Sequence, residues 1–366
     1  MKKRIAATVL GIMMAVTALS GCGSRGSAAA PATTAAPAAT EAAAQGSSDT
    51  QAAAPAASEA QYKIRAGHVL AAAHPYELGL EKFAELVEER TNGAVHVDCF
   101  SDSQLGNERD MIEGLQLGTL EMCLVSTAPL AGFTSDFLVF DLPYVFSTTE
   151  EARKTVDSEI GQGMLDALSN QGIKGICYFE NGFRNITNSK VAIEHPDQLK
   201  GLKIRTMENP IHMASFTAMG ADPTPMAFGE LFTALQQKTI DGQENPLAII
   251  DTSKFYEVQT YLTLSQHFYA PTPVLMSKDY FDKLPEEYQT IIVDCAKEAA
   301  AYERGLLDEM NARLVGEMKD HGMTVLEIDP AEFREAVQPV YDEFVGEGEG
   351  KVPTEVYEEV QKFLGK

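Results

Sequence analysis

From Tyr62 to Phe100 the hydrophobic period changes twice. "YKIRAGHVL" (Tyr62 to Leu70) is strand-like; Pro75 to Arg90 carries Leu80, Phe83, Leu86 and Val87 on one helical stripe; "AVHVDCF" (Ala94 to Phe100) is strand again. Two strands joined through a helix run parallel, since an antiparallel return needs only a short turn. This unit restricts the chain to the α/β class. The pattern continues with a helix over Asn107 to Leu117, a strand at "TLEMCLVS", a helix over Glu150 to Asn170, and strands at "IKGICYF" and "FRNITN".

A second α/β set follows. "LKIRTM" predicts a strand, Asn209 to Met219 a helix with Pro210 at its first position, "FGELFTALQQ" a helix, "TIDGQ" a brief strand, and Pro246 opens another helix. Tyr261 to Lys278 reads as extended chain linking two halves. Pro285 to about His321 carries Ile292, Ala296, Ala299, Leu306, Met310 and Leu314 on one stripe. Unbroken by Gly305 and Gly316, it would run roughly 50 Å and lie across two domains. The 366 residues suffice for two domains once the ends are set aside.

Lys2, Lys3 and Arg4 precede a mainly apolar run from Ile5 to Leu19, too short for a comfortable membrane span, and then "LSGC". Residues 1–21 are expected to be a lipoprotein signal peptide and Cys22 the lipidated first residue of the mature chain. Gly21, Gly23 and Gly26 spell G-x-G-x-x-G, but no strand–helix context surrounds them, so no dinucleotide site is expected. Residues 22–61 are poor in large apolar residues and rich in Ala, Pro, Ser and Thr; such a segment reads as a disordered tether with a reach of roughly 35 Å.

The formal net charge is −24. Nucleic-acid binding, which needs a basic surface, is disfavoured on that ground, and an anionic ligand must be held by local cations against the net field. There is no H-E-x-x-H, no G-x-S-x-G and no phosphate loop. The seven histidines show no paired metal spacing, so neither enzyme, metal nor cofactor is expected. Cys99, Cys123, Cys177 and Cys295 have no C-x-x-C spacing, and buried free thiols are the simplest reading of those in apolar runs.

Two arginines stand out. Arg205, in "GLKIRTMENP", ends a strand that runs into a helix, where open parallel sheets bind ligands; strand alternation alone would put it on a solvated face. Arg184, in "ENGFRNITN", has a similar place, with Gly182 before it permitting close backbone approach. Two guanidinium forks could hold one carboxylate, while a salt bridge to Glu180 or Asp222 is the alternative for Arg184. Asn245, before Pro246, reads on its own as a helix cap. His74 and His212 each lie beside a helix start.

"NGFRNITN", "LKGLKIRTMENP", "GADPTPMAFGELFTALQQKTIDGQENPL", "SKFYEVQTYLTLSQH", "LGNERDMIEGLQLGTLEM" and "FDLPYVF" resemble blocks of the DctP-type extracytoplasmic solute-binding proteins of tripartite ATP-independent periplasmic (TRAP) transporters. The likeness runs from Tyr62 to the C-terminus. It implies an α/β, two-lobed periplasmic-binding-protein-like fold with crossing strands and a long helix spanning both lobes. One lobe is expected from 62–182 with 271–310, the other from 183–270 with 311–366. It implies that Arg205 pairs with a substrate carboxylate, with Arg184 and Asn245 beside it and Phe228 packing on the ligand; Ser126 and His74 complete the expected pocket. The sialic-acid branch carries an acid and an arginine where this chain has Ser126 and Pro129, which argues against sialate. The expected ligand is a small organic acid, a sugar acid such as a hexuronate, delivered to membrane permease subunits by an extracytoplasmic, lipid-anchored receptor. A C4-dicarboxylate receptor and a ligand-presenting sensor module are the alternatives.

Overall fold

The computed structural model describes residues 60–366. The expected leader, Cys22 and all but the last two residues of the expected tether lie outside them. Nine strands form one mixed sheet. They are β1 (Tyr62–Gly67), β2 (Val95–Phe100), β3 (Met122–Leu124), β4 (Ile173–Asn188), β5 (Lys203–Thr206), β6 (Asp222–Pro225), β7 (Gly242–Pro246), β8 (Tyr261–Ser277) and β9 (Thr324–Glu327). Their order is β2-β1-β3-β8-β4-β7-β5-β6, with β9 on the first residues of β8.

The first strand–helix–strand unit is parallel as its spacing requires: β1 pairs with β2 and β3 in parallel. A second parallel set, β7-β5-β6, forms the other end. Between them β4 and β8 run antiparallel, from Ile173 opposite Ser277 to Asn188 opposite Tyr261. The segment expected as extended linker, Tyr261 to Lys278, is therefore a 17-residue strand, and the two short strands expected around Glu180 are one strand of 16 residues. The pairing shifts register between Glu180 and Gly182, and Gly182 takes φ 94°, a backbone region that side chains with a Cβ resist.

The helix expected over Glu150 to Asn170 is interrupted. It comprises Thr149–Val156 and Glu159–Ala167. Ser158 between them caps the second helix, its hydroxyl accepting from the Ile160 N–H at 3.2 Å. Serine competes for backbone donors in this way and so favours helix starts over interiors.

The long helix is continuous over Glu286–Asp320, 35 residues. A Cβ at Gly305 or Gly316 would meet nothing within 4 Å, so both glycines face open space and do not break it. It packs against the Pro75–Arg90 helix of the first half, β4, and the Leu247–Thr252 helix and β9 of the second. At Gly79 the contact is close: a Cβ there would stand 2.7 Å from Phe179 and 2.9 Å from Glu303. Ile64, Phe83, Val87 and Val97 fill the core of the first half, and Ile204, Phe216, Leu231 and Ile250 that of the second. No described helix is long and apolar enough to cross a membrane. Cys99, Cys123, Cys177 and Cys295 are free thiols.

Candidate functional site

β4 departs from an apolar core strand in one stretch. Glu180, Asn181, Arg184, Asn185, Thr187 and Asn188 are all buried, and buried polar groups need partners. For Arg184 the partner is on β7. Its Nε donates to Glu244 Oε2 at 2.5 Å, and its Nη2 donates to Glu244 Oε1 at 2.7 Å, the Glu244 carbonyl at 2.6 Å and Asn245 Oδ1 at 2.9 Å. The salt bridge is thus to Glu244 and to neither Glu180 nor Asp222. Arg184 and Glu244 are 1% and 0% exposed. Burial pushes the Glu244 carboxyl up, but the Arg184 charge and contacts to His267 and Arg184 outweigh it and hold the group well below the carboxylate range.

Arg205 is different. Strand alternation suggested a solvated face, but the residue is 2% exposed, because residues distant along the chain, among them Met226, Phe228 and Glu108, cover that face of β5. Its Nε and Nη2 donate to the Met226 carbonyl at 2.9 and 2.6 Å, while its Nη1 is buried with no partner. No carboxylate of the described residues forms an ion pair with it. Burial, and then the neighbouring Arg184 charge, bring its pKa down to about 10. A buried guanidinium with an unused donor and no carboxylate partner is suited to receive an anion.

Arg205 and Arg184 border one small, partly open space of about 10 Å³ together with Asn245, Phe228, Ser126, Glu108, Asn181 and Tyr76. Five of the six expected pocket residues therefore converge on one space. Asn245 is in β7 and not a helix cap; the next helix, Leu247–Thr252, is preceded by Pro246. Its Nδ2 donates to Gln243 Oε1 at 2.5 Å, and its Oδ1 accepts from Arg184. Phe228 opens the Phe228–Gln236 helix with its ring 6.1 Å from Phe255. Ser126 follows β3; its N–H donates to Glu108 Oε1 at 2.6 Å and its hydroxyl accepts from Asn181 Nδ2 at 3.3 Å.

His74 is the sixth, and it does not line the cavity. It caps the Pro75–Arg90 helix, Nδ1 accepting from the Tyr76 N–H at 3.2 Å, and burial followed by the nearby His68 brings its pKa down to about 3. Its ring meets that of Tyr76 edge-on at 4.8 Å, so it touches a wall residue from behind. His212 is likewise buried, stacked on Phe268 at 4.0 Å.

Three wall residues escaped sequence reasoning. Glu108 and Asn181 lie inside the quoted blocks "LGNERDM" and "NGFRNITN", but nothing in their spacing singles them out. Burial raises the Glu108 carboxyl, against the bonds from Ser126 and the charge of Arg205. Asn181 Oδ1 is a buried acceptor without a partner. Tyr76 is held by its hydroxyl to Thr272. A larger cleft lies along the long helix at Tyr178, Lys297 and Arg304; its guanidinium is already paired, Arg304 donating to both Asp157 oxygens at 2.6 and 2.9 Å. Among the described residues no cluster of His, Cys, Asp or Glu is arranged to hold a metal.

Residues 66–347 match the family model of the DctP-type bacterial extracellular solute-binding proteins, family 7. The 2,3-diketo-L-gulonate-binding periplasmic protein YiaO of Escherichia coli is 37% identical over 290 residues, 79% of this chain and 88% of that protein. The sugar acid binding protein DctPAm from Advenella mimigardefordensis, solved in complex with galactonate, superposes with a TM-score of 0.80 at 38% identity, covering 84% of this chain and 99% of that one. A TRAP periplasmic solute-binding protein from Sulfurospirillum deleyianum with bound succinate gives 0.78 at 31% identity, over 82% and 99%. With the two parallel ends of its sheet, the paired long strands between them and the helix that lies along both, this chain is a two-lobed member of the family 7 extracellular solute-binding proteins.

Proposed function

We propose that this protein is the solute receptor of a TRAP-type transport system, that it grips a small organic acid by its carboxylate at Arg205, and that it passes the acid on to membrane permease subunits without chemical change. The observation that carries the reading is the buried guanidinium of Arg205, without a carboxylate partner, beside a space of about 10 Å³ that an acid enters as the lobes part. A carboxylate there accepts from Nη1, and Arg184 and Asn245 border the same space. The cavity holds no nucleophile–base arrangement, which supports a receptor over an enzyme.

The ligand class follows from the rest of the wall. Glu108 and the unpartnered Asn181 Oδ1 are acceptors, and they call for hydroxyl donors. A hydroxylated monoacid, a sugar acid, meets both ends. A C4-dicarboxylate would set its second charge against Glu108. Relatives point both ways: DctPAm is solved with galactonate and the Sulfurospirillum protein with succinate, and the C4-dicarboxylate-binding protein DctP of Rhodobacter capsulatus is 37% identical over 285 residues. Calorimetry with galactonate, galacturonate and succinate tests the reading: a sugar acid is expected to bind at least tenfold more tightly than succinate, and the reverse order makes this a dicarboxylate receptor.

The lobes are proposed to close about the irregularity where Glu180 faces Pro271 and Gly182 faces Ala270, beside the expected boundaries at 182/183 and 270/271. Small-angle scattering should show a smaller radius of gyration with saturating ligand, and identical curves would refute closure. "LSGC" after the apolar leader supports lipid anchoring at Cys22; Cys22→Ser should release the protein from membranes or leave the precursor unprocessed, and unchanged membrane association would rule the anchor out.

A further inference from the structure

The chain has 53 acidic and 29 basic residues, so a cavity walled by cations and free of acids is unexpected on it. One of about 180 Å³ is lined by Tyr144, Arg334, Gln338, Tyr341, Tyr357 and Gln361, with Pro143, Val145 and Lys366 completing it. It shares no residue with the Arg205 cavity.

Tyr144 is held there against its own preference. Its φ of 60° is left-handed, which a residue bearing a large side chain adopts only when its surroundings impose it. Its N–H donates to the His267 carbonyl at 2.8 Å, and its hydroxyl is buried with no partner. The Arg334 guanidinium sits over its ring at 5.3 Å, and among the described residues no carboxylate pairs with Arg334. Two of the other polar groups are occupied. Tyr341 donates its hydroxyl to the Pro143 carbonyl at 2.6 Å; Lys366 Nζ donates to the Val145 carbonyl at 2.9 Å and lies 3.3 Å from Glu151. The Tyr357 ring meets that of Tyr341 edge-on at 5.9 Å. The cavity thus offers one free guanidinium fork, one free buried hydroxyl and three aromatic rings.

We propose that this cavity is a second ligand site, for a small organic carboxylate with a flat apolar body. A guanidinium matches a carboxylate with paired donors, the Tyr144 hydroxyl supplies a further donor, and the rings receive the apolar part by stacking or edge contact. A single matched cation suits a monoanion better than a phosphate. The Arg205 cavity, with acceptors opposite its cation, selects a hydroxylated acid; the Tyr144 cavity, with aromatic walls, selects an aryl one.

The test is a fluorine NMR titration of the protein with 4-fluorobenzoate, in parallel on Arg334→Gln, Arg334→Lys, Tyr144→Phe and Arg205→Ala. Saturable binding by the unaltered protein is expected, weakened about tenfold or more by Arg334→Gln, as for loss of a charge-assisted bond. Arg334→Lys should weaken it less and Tyr144→Phe severalfold, while Arg205→Ala leaves it within about twofold. Arg334 is exposed, so its variants should fold; Tyr144→Phe, which removes one oxygen, decides the matter if they do not. Absence of saturable binding overturns the site, as does binding lost with Arg205→Ala but kept in Arg334→Gln and Tyr144→Phe, which places the probe in the first cavity.

Discussion

Replacing Arg205 with methionine keeps most of the stem and removes the charge. In the empty cavity two effects oppose each other. The guanidinium pKa is brought down from its usual value to about 10, a fall of roughly two units, which at about 1.4 kcal/mol per unit means that holding the charge costs the fold about 3 kcal/mol. Against that, the Met226 carbonyl loses the donors that reach it at 2.9 and 2.6 Å, and a buried acceptor left unpaired costs about 1–3 kcal/mol. Ligand-free Arg205→Met should therefore be as stable as the parent or more stable, by about 0–2 kcal/mol. Binding should move the other way: losing a buried charge-assisted pair costs about 2–5 kcal/mol, or roughly 30- to 4,000-fold in affinity. Arg205→Lys should be weakened strongly too, since a point charge cannot reproduce the fork. Denaturant melts without ligand and calorimetry with galactonate measure the two halves. A variant destabilised by several kcal/mol would make Arg205 a structural tie to Met226, and one that binds as tightly as the parent would remove it from the site.

Three further outcomes follow from buried ionisable groups and the strand irregularity. Glu244→Gln leaves Arg184 charged and unmatched in the interior and should cost about 3–5 kcal/mol in denaturant melts, whereas a change below 1 kcal/mol would mean that Arg184 finds another partner. Glu303 is buried in the long helix with its pKa raised, by burial first and then by the charge of Glu180; its folded form stays protonated above pH 4.5 while the unfolded chain ionises, so stability should fall as pH rises from there, and Glu303→Gln should flatten that fall. At Gly182 a Cβ would have room, its nearest neighbour standing 3.7 Å away, so Gly182→Ala should cost about 1–2 kcal/mol from backbone strain alone; a neutral result would show that the register shift relaxes.

What could be read from the residues was whatever is local and periodic. The parallel β1–β2 unit rests on a period change within 39 residues, and the long helix on a stripe that continues past Gly305 as far as Leu314. The continuous β4 was hidden because a buried polar stretch, Glu180 to Asn188, looks like a break when one expects strand interiors to be apolar. β6 was hidden because Asp222–Pro225 contains two prolines, which its edge position tolerates. The site divides the same way. Arg205, Arg184, Asn245 and Phe228 were recognisable through family blocks, and Arg205 also by its place at a strand end. Its burial was not, because alternation cannot tell a water-facing strand side from one covered at long range. Glu108 and Asn181 reach the cavity from elements far apart in sequence, and only the assembled fold brings them together. His74 was placed by nearness to a helix start, which is a capping position, and capping is what it does.

Two arginines share one cavity, and their surroundings divide the work between them. Arg184 is matched by Glu244, so the pair adds little net charge and serves as a wall with oriented donors. Arg205 has only a carbonyl to bond, so the positive charge of the empty site is its own. A monocarboxylate pairs with that charge; a dicarboxylate brings a second negative charge to face Glu108. The acid count of the whole chain acts in the same sense, since its net negative field disfavours each additional negative charge on a ligand. On the proposed reading, affinity rests on one desolvated ion pair, and selectivity on acceptors that reject a second acid and are left unpaired by a ligand without hydroxyls. On that reading, the cost of unmatched buried acceptors lets a cavity with a single unpaired cation discriminate among organic acids that all present a carboxylate.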